Sequence, residues 1–168
     1  MIDAGEARLY QIFEEIGITD YEIHEHQAVF TIAEIDEVGL DMPGLNLKNL
    51  LIKDKKDNQF YMVILDDHRH MDMKHFQELT GWSKKVRFAN EEELMELLHL
   101  APGSVSPFGI IHDRNHQVVV VLGREITAAD EDALVNFHSN RNTATLSLKK
   151  SDFLRFLRHQ ETKLILEE

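Results

Sequence analysis

The chain has 168 residues, 43% of them hydrophobic and 29% charged, with a formal net charge of −12 and no cysteine. The missing cysteines exclude disulfides, zinc–thiolate sites and a cysteine nucleophile. The acidic balance argues against sequence-blind binding along a nucleic-acid backbone, though not against a local basic mouth that grips one end of an RNA. No apolar run approaches the roughly 20 residues of a membrane helix and the N-terminus lacks a signal-peptide pattern. The expectation is a single cytoplasmic domain over residues 1–168, with no membrane partner and a core of its own.

Leu9, Ile12, Phe13 and Ile16 recur at helical spacing from about Gly5, and Gly17 suits the cap. Residues 21–26, Tyr-Glu-Ile-His-Glu-His, alternate like a strand. His24 and His26 read as a metal pair or as a solvated strand face; with no third ligand nearby, the solvated face is preferred. Thr31 caps a short helix running to Glu37, and Glu34 completes a capping box. Residues 45–52 and 59–65 form a hairpin around a polar turn at 53–58. Lys48 is the one cation in the first of these strands. It either snorkels to solvent or faces a polar cavity.

Asp66 to His75 nearly matches the His-x-His-x-Asp-His pattern of metallo-β-lactamase-like hydrolases, but Met73 stands where the last histidine belongs. The plainer reading, a polar connection into a helix from Asp72 through Leu79, is preferred and no metal is expected. Gly81 ends that helix, and Lys84 to Phe88 make a short basic strand. Asn90 caps a further helix, with Glu91, Glu92 and Glu93 in the turn where the helix dipole favours them.

The eight residues from Pro102 to Gly109 hold two prolines and two glycines. Pro107 fixes its own φ, and Gly103 and Gly109 can take angles closed to other residues. The stretch reads as a rigid loop, either an ordinary connection or one that aims several backbone groups at one small volume. Phe108–His112 and Gln117–Leu122 are expected to pair as a second hairpin. The run Val118 to Val121 suits a strand buried on both faces. Thr127 to Asp132 reads as one helical turn. Ala133–Phe137 and Thr143–Leu148 form a third hairpin, and Ser151 caps a final helix bearing Phe153, Leu154, Phe156 and Leu157.

Several short motifs recur in a telling order. They are Val29-Phe30-Thr31, Lys48-Asn49-Leu50, Lys53-Asp54-Lys55-Lys56, Asp72-x-Lys74 and Phe88-Ala89-x-x-Glu92-Glu93-Leu94. Then come Gly103-x-x-x-Pro107-Phe108-Gly109, Asn136-Phe137-His138, Asn142-Thr143-Ala144-Thr145 and the helix beginning Asp152-Phe153-Leu154. Each is weak alone. In this order and spacing the chain resembles, over nearly its whole length, the free-standing aminoacyl-tRNA deacylases of the YbaK/proline-tRNA-synthetase editing-domain family. It looks closest to the branch that hydrolyses alanyl-tRNA(Pro), labelled ProX or PrdX.

The resemblance implies an α+β fold, a mixed, curved sheet flanked by helices, and a reaction in which water attacks the ester joining an amino acid to the 3′ end of tRNA. It places the catalytic centre at Lys48 and at the loop Gly103, Ser104, Val105, Ser106 and Pro107. Thr31, Asn49, Phe108, His138, Asn142 and Thr143 would frame the substrate, while Lys53, Lys55, Lys56 and Arg141 would meet RNA. Further members of a basic mouth would be Lys84, Lys85 and Arg87. The implied partners are the acceptor end of a mischarged tRNA and prolyl-tRNA synthetase, with no cofactor, in a monomer or homodimer.

An activated ester needs only modest catalysis. Backbone N–H groups of the loop can stabilise a tetrahedral oxyanion, at roughly 2.7–4 kcal/mol per donor. No Gly-x-Ser-x-Gly elbow is present, so positioned water is preferred over a protein nucleophile. Ser139, Gln27 and the Leu45-Asn46-Leu47 triplet depart from the branch pattern and leave the amino-acid specificity open. Two other classes stay in view: a tRNA-binding regulator without turnover and a His/Asp metal-dependent hydrolase.

Overall fold

The computed structural model describes residues 4–26, 43–141 and 143–168. The expected Thr31 helix, the Val29-Phe30-Thr31 motif and Asn142 lie outside the described residues. Helix α1 (Ala4–Glu15) buries Leu9, Ile12 and Phe13 as their spacing predicts, and Gly17 closes it with φ 79°. Strand β1 (Tyr21–Glu25) follows. The first hairpin is β2 (Leu45–Asp54) with β3 (Gln59–Asp66), paired antiparallel from Leu47↔Asp66 to Asp54↔Gln59.

Helix α2 (Met73–Thr80) starts at Asp72, whose carboxylate accepts from the N–H groups of Lys74 and His75, and ends at Gly81 in the left-handed region. Strand β4 (Val86–Phe88) leads to α3 (Glu91–Leu98), where Asn90 and Glu93 form the capping box. Strands β5 (Val118–Leu122), β6 (Leu134–His138) and β7 (Ala144–Lys149) come next, with a one-turn helix α4 (Arg124–Thr127) after β5. Helix α5 (Lys150–His159) and β8 (Lys163–Leu166) complete the described chain.

Among the described residues, eight strands make one mixed sheet in the order β1-β7-β6-β2-β3-β5-β8, with β4 pairing onto β2. Its larger core gathers Leu51, Met62, Ile64, Val120 and Phe137 with Leu9 and Phe13 of α1 and Phe153 and Phe156 of α5. The opposite face packs Ile52, Val63, Leu65 and Val121 against Phe76 and Trp82. Strand alternation therefore sorts β2, β3 and β5 cleanly between two faces.

Three expectations are corrected. Phe108–His112 is no strand: Pro107–His112 forms a 3-10 turn whose first four residues are buried. β5 instead pairs parallel with β3 and β8. The buried Val118–Val121 run fits this, because parallel strands sit inside the sheet with both faces covered. The helical turn expected at 127–132 lies at 124–127, and Lys149, not Ser151, occupies the N-cap of α5 without a side-chain cap bond. The β6–β7 hairpin forms as expected, from Leu134↔Lys149 to His138↔Thr145.

Candidate active site in a gap of the sheet

The outer edge of β2 is shared. β6 runs parallel to its start, at Leu45↔Val135 and Asn46↔Asn136, and β4 runs antiparallel to its end, from Ile52↔Phe88 to Asp54↔Val86. Between them, residues 47–51 face no paired strand among the described residues. Only the Leu51 carbonyl is met there, by the N–H of Ala89 at 2.8 Å. The Gly103–Pro107 loop fills part of this gap: Asn49 Nδ2 donates to the Val105 carbonyl at 3.2 Å.

The loop is held from two sides. Ser106 is fully buried; its hydroxyl donates to the His138 carbonyl at 2.6 Å and accepts from the Phe108 N–H at 3.2 Å. Phe108 anchors the far side. It is wholly buried, with its ring centroid 5.3–5.7 Å from those of Phe13, Phe137 and Phe156. Phe108 is thus a core anchor of the loop in this structure. Gly103 sits at φ 85°, where a side chain is strained. Gly109 is glycine for a different reason than torsion: an added Cβ would lie 2.7 Å from Leu100 Cδ1.

Within the loop the Ser104 N–H bonds the Ala101 carbonyl at 3.0 Å. The N–H groups of Gly103, Val105 and Ser106 have no partner among the described residues. Ser106 is fully buried, so the half-buried Gly103 and Val105 carry the donors the loop has left to offer a substrate oxygen.

Lys48 lies on the other face of β2. It stands opposite Leu65 of the smaller cluster, whereas Asn49 stands opposite Ile64 of the main core. Lys48 is half-buried and forms no ion pair among the described residues. By alternation its face also carries Asn46, Asn136, His138, Thr145 and Ser147. These are joined: Asn136 Nδ2 donates to Asn46 Oδ1 at 3.1 Å, the Ser147 hydroxyl donates to Asn136 Oδ1, and His26 Nε2 contacts Thr145 Oγ1 at 2.9 Å. His138 links the two halves, its carbonyl held by the loop and its ring on the polar face. Burial pushes its imidazole below the usual histidine range, a backbone contact to Ala144 opposing and His26 adding, which leaves the ring neutral at pH 7. The ring's Nδ1 is buried without a partner.

Sequence reasoning missed Asn46, Asn136, Ser147 and Thr145 as a polar patch. The signal was present as polar residues at alternate positions, 136 and 138 in β6 and 145 and 147 in β7, between apolar ones. It also missed Glu6, which is fully buried and accepts from Tyr10 Oη at 2.6 Å, Ser139 Oγ at 3.2 Å and Arg141 Nε at 2.7 Å. Arg141 further donates to Thr143 Oγ1 at 2.8 Å and to Glu25 at 2.7 Å. Its guanidinium, expected among the RNA-facing cations, thus braces the β6–β7 connection. Lys53 is similarly engaged, 2.9 Å from Glu93 and over the Phe60 ring. Lys55 and Lys56 are exposed in the β2–β3 turn, as expected.

The His/Asp stretch is dispersed into structural roles. Asp72 caps α2, His75 contacts Glu167, and Arg69 donates to Glu125 and to both oxygens of Glu167. Asp66, Asp67 and His68 bring ligand atoms within 4.8 Å of one another. His68 Nδ1 is 2.7 Å from Asp67.

The fold and site thus define an α+β protein whose mixed sheet has, among the described residues, an unpaired stretch of β2 beside a polar patch and a Gly-x-x-x-Pro loop. The chain belongs to the aminoacyl-tRNA editing domain family, whose model matches residues 26–156. It is 32% identical over 157 residues to the prolyl-tRNA editing protein ProX of Acetoanaerobium sticklandii, covering 94% of this chain and 92% of that one. It is 33% identical over 143 residues to the prolyl-tRNA synthetase associated domain-containing protein 1 of Danio rerio, covering 84% and 76%. A crystal structure of a candidate trans-editing enzyme for prolyl-tRNA synthetase superposes with a TM-score of 0.71 at 19% identity, over 98% of this chain and 96% of that one. No helix among the described residues is long and apolar enough to cross a membrane.

Proposed function

We propose that this protein is a trans-acting aminoacyl-tRNA deacylase that hydrolyses the ester of mischarged tRNA, with alanyl-tRNA(Pro) as its substrate. One observation supports this above the others: the Gly103–Pro107 loop is held by Asn49 and by the His138 carbonyl while its half-buried Gly103 and Val105 keep uncommitted N–H groups, and the His138 ring lies on the same sheet face as Lys48. That arrangement suits an oxyanion and a polar substrate end, and family membership supplies the ester. In this reading water is the nucleophile. The Ser106 hydroxyl already donates to the His138 carbonyl, so it does not attack. The N–H groups of Gly103 and Val105 meet the developing oxyanion. Lys48 holds the negatively charged or hydroxylated end of the RNA as a compact cation.

A pocket sized for alanine would exclude proline sterically, and the choice of alanine as substrate rests on that size argument. The relevant partners are the tRNA acceptor end and the synthetase whose errors are removed. The test is a panel of tRNAs charged with alanine, serine, cysteine or proline, followed for release of the amino acid. Rapid hydrolysis of Ala-tRNA(Pro) with Pro-tRNA(Pro) spared is expected. Tight tRNA binding with no hydrolysis of any member would overturn the proposal in favour of a regulator.

A further inference from the structure

Phe88 is 58% exposed, the most open of the large hydrophobic side chains exposed among the described residues. A single exposed apolar residue usually needs no explanation. Phe88 differs in its place and in its support. It is the last paired residue of β4 before the gap and lies opposite Ile52. It therefore shares a face of β2 with Lys48, four residues away, a separation of about 13 Å along the strand. The gap thus has the loop and His138 at one end and an aromatic ring at the other.

The ring's backbone is braced. Arg87 donates to the Phe88 carbonyl at 3.0 Å and to Glu93 through both terminal nitrogens at 2.7 and 3.0 Å. Glu93 in turn accepts from the Asn90 N–H at 2.9 Å and pairs with Lys53 at 2.9 Å. A ring on so fixed a support loses little freedom on meeting a flat ligand. Beyond it the surface turns basic. The Lys55 N–H bonds the Lys85 carbonyl at 3.0 Å, which joins the β2–β3 turn to the approach to β4. Lys55, Lys56, Lys84 and Lys85 are all exposed there, on a chain whose net charge is −12.

We propose that Phe88 is a stacking platform for an unpaired nucleobase just upstream of the esterified 3′ nucleotide, with the lysine tip behind it receiving the adjoining phosphates. The inference rests on the deacylase reading and adds a subsite to it. A separation of about 13 Å spans about two to four nucleotides, given a spacing of about 3.4 Å when stacked and more when extended. Stacking on an aromatic tolerates any base, so the platform serves a constant, unpaired end. Leu50 lies between Lys48 and Phe88 on the same face and is half-buried.

The test compares wild type with Phe88→Ala and Phe88→Trp in steady-state deacylation of Ala-tRNA(Pro), and in equilibrium binding of uncharged tRNA with an intact or an enzymatically trimmed 3′ end. Phe88→Ala is expected to raise KM and the Kd for intact tRNA about tenfold, within the range of losing one base–aromatic stack. Binding of trimmed tRNA should change little, and Phe88→Trp should keep wild-type KM and Kd within about twofold. Phe88→Ala with unchanged KM and Kd overturns the platform while leaving the deacylase standing. Equal weakening toward intact and trimmed tRNA also overturns it, since the ring would then serve the duplex or the fold. A wild-type protein that hydrolyses nothing sinks the deacylase reading, and the binding arm then decides the platform by itself.

Discussion

Ser106→Ala offers the sharpest test of how the loop is held. The hydroxyl sits fully buried between two backbone groups, donating to the His138 carbonyl at 2.6 Å and accepting from the Phe108 N–H at 3.2 Å. Alanine fills nearly the same space and adds no clash, so the cost is that of two buried backbone groups left without a partner. At about 1–3 kcal/mol for each stranded group, the loss is about 3 kcal/mol. For a chain of this size, each 1 kcal/mol shifts Tm by about 2–4 °C, so a drop of about 6–12 °C is expected.

Calorimetry reads the stability, and single-turnover deacylation reads the chemistry. Well below the shifted Tm, the rate should fall by about tenfold, since the Gly103 and Val105 N–H groups lose their fixed aim but stay in the loop. A variant as stable as wild type would refute the bracing argument. Complete loss of turnover in a stable, folded variant would instead mark Ser106 as a nucleophile and refute the positioned-water reading.

Lys48→Ala should lower deacylation by about 100-fold, the scale of removing one transition-state contact, with Tm held within a few degrees; a fully active variant would remove Lys48 from the site. Activity is expected to survive EDTA, measured before and after dialysis against chelator; loss restored by zinc would assign a catalytic role to Asp66, Asp67 and His68. Two hydrogen bonds from Arg87, first among the causes, hold the Glu93 carboxyl down at about 2, against a usual 4.5. Its contribution to stability is therefore complete above pH 4.5 and is lost as pH falls from 4.5 toward 2. Glu93→Gln should flatten the Tm–pH curve across that window, and a curve parallel to wild type would refute the pairing. The salt dependence of tRNA binding should be shallow, with log K falling by about 0.7 per phosphate for about two to four phosphates in all; a slope typical of a protein tracking a long duplex would exclude an end-gripping mode.

The elements with strong local signals were legible in the sequence. Leu9, Ile12 and Phe13 mark α1, and Asn90 with Glu93 caps α3, because helical spacing and capping depend on near neighbours only. What failed was set by long-range pairing. Phe108–His112 looks like a strand from its apolar run, but the residues are apolar because they plug the core between α1 and α5, and Pro107 starts a 3-10 turn. Nothing local in Val118–Val121 says that its partners are β3 and β8, 58 and 44 residues away at Phe60↔Val118 and Val119↔Lys163. The loop Gly103–Pro107 and Asn49 were readable as site candidates. The fate of Arg141 was not, since only the fold carries Glu6 to it across 135 positions.

These long-range contacts share a purpose at the site. In the proposed positioned-water reading there is no nucleophile to hold, so catalytic power would depend on how firmly the walls of the gap are set. Each wall here has its own brace. Glu6, buried on α1, fixes Arg141 and Ser139 beneath the connection that follows His138. Ser106 ties the Gly-x-x-x-Pro loop to β6. Glu93 ties Arg87 and Lys53 at the β4 end. Two of the three braces are carboxylates set against arginine, and a guanidinium suits this because its planar fork binds an oxygen pair in one geometry. The acidic excess of the chain and the basicity needed to meet RNA are thereby reconciled. Glu6 and Glu93 engage the cations that hold the frame, while Lys48 and the lysines of the tip form no ion pair among the described residues and, in the proposed reading, meet the RNA.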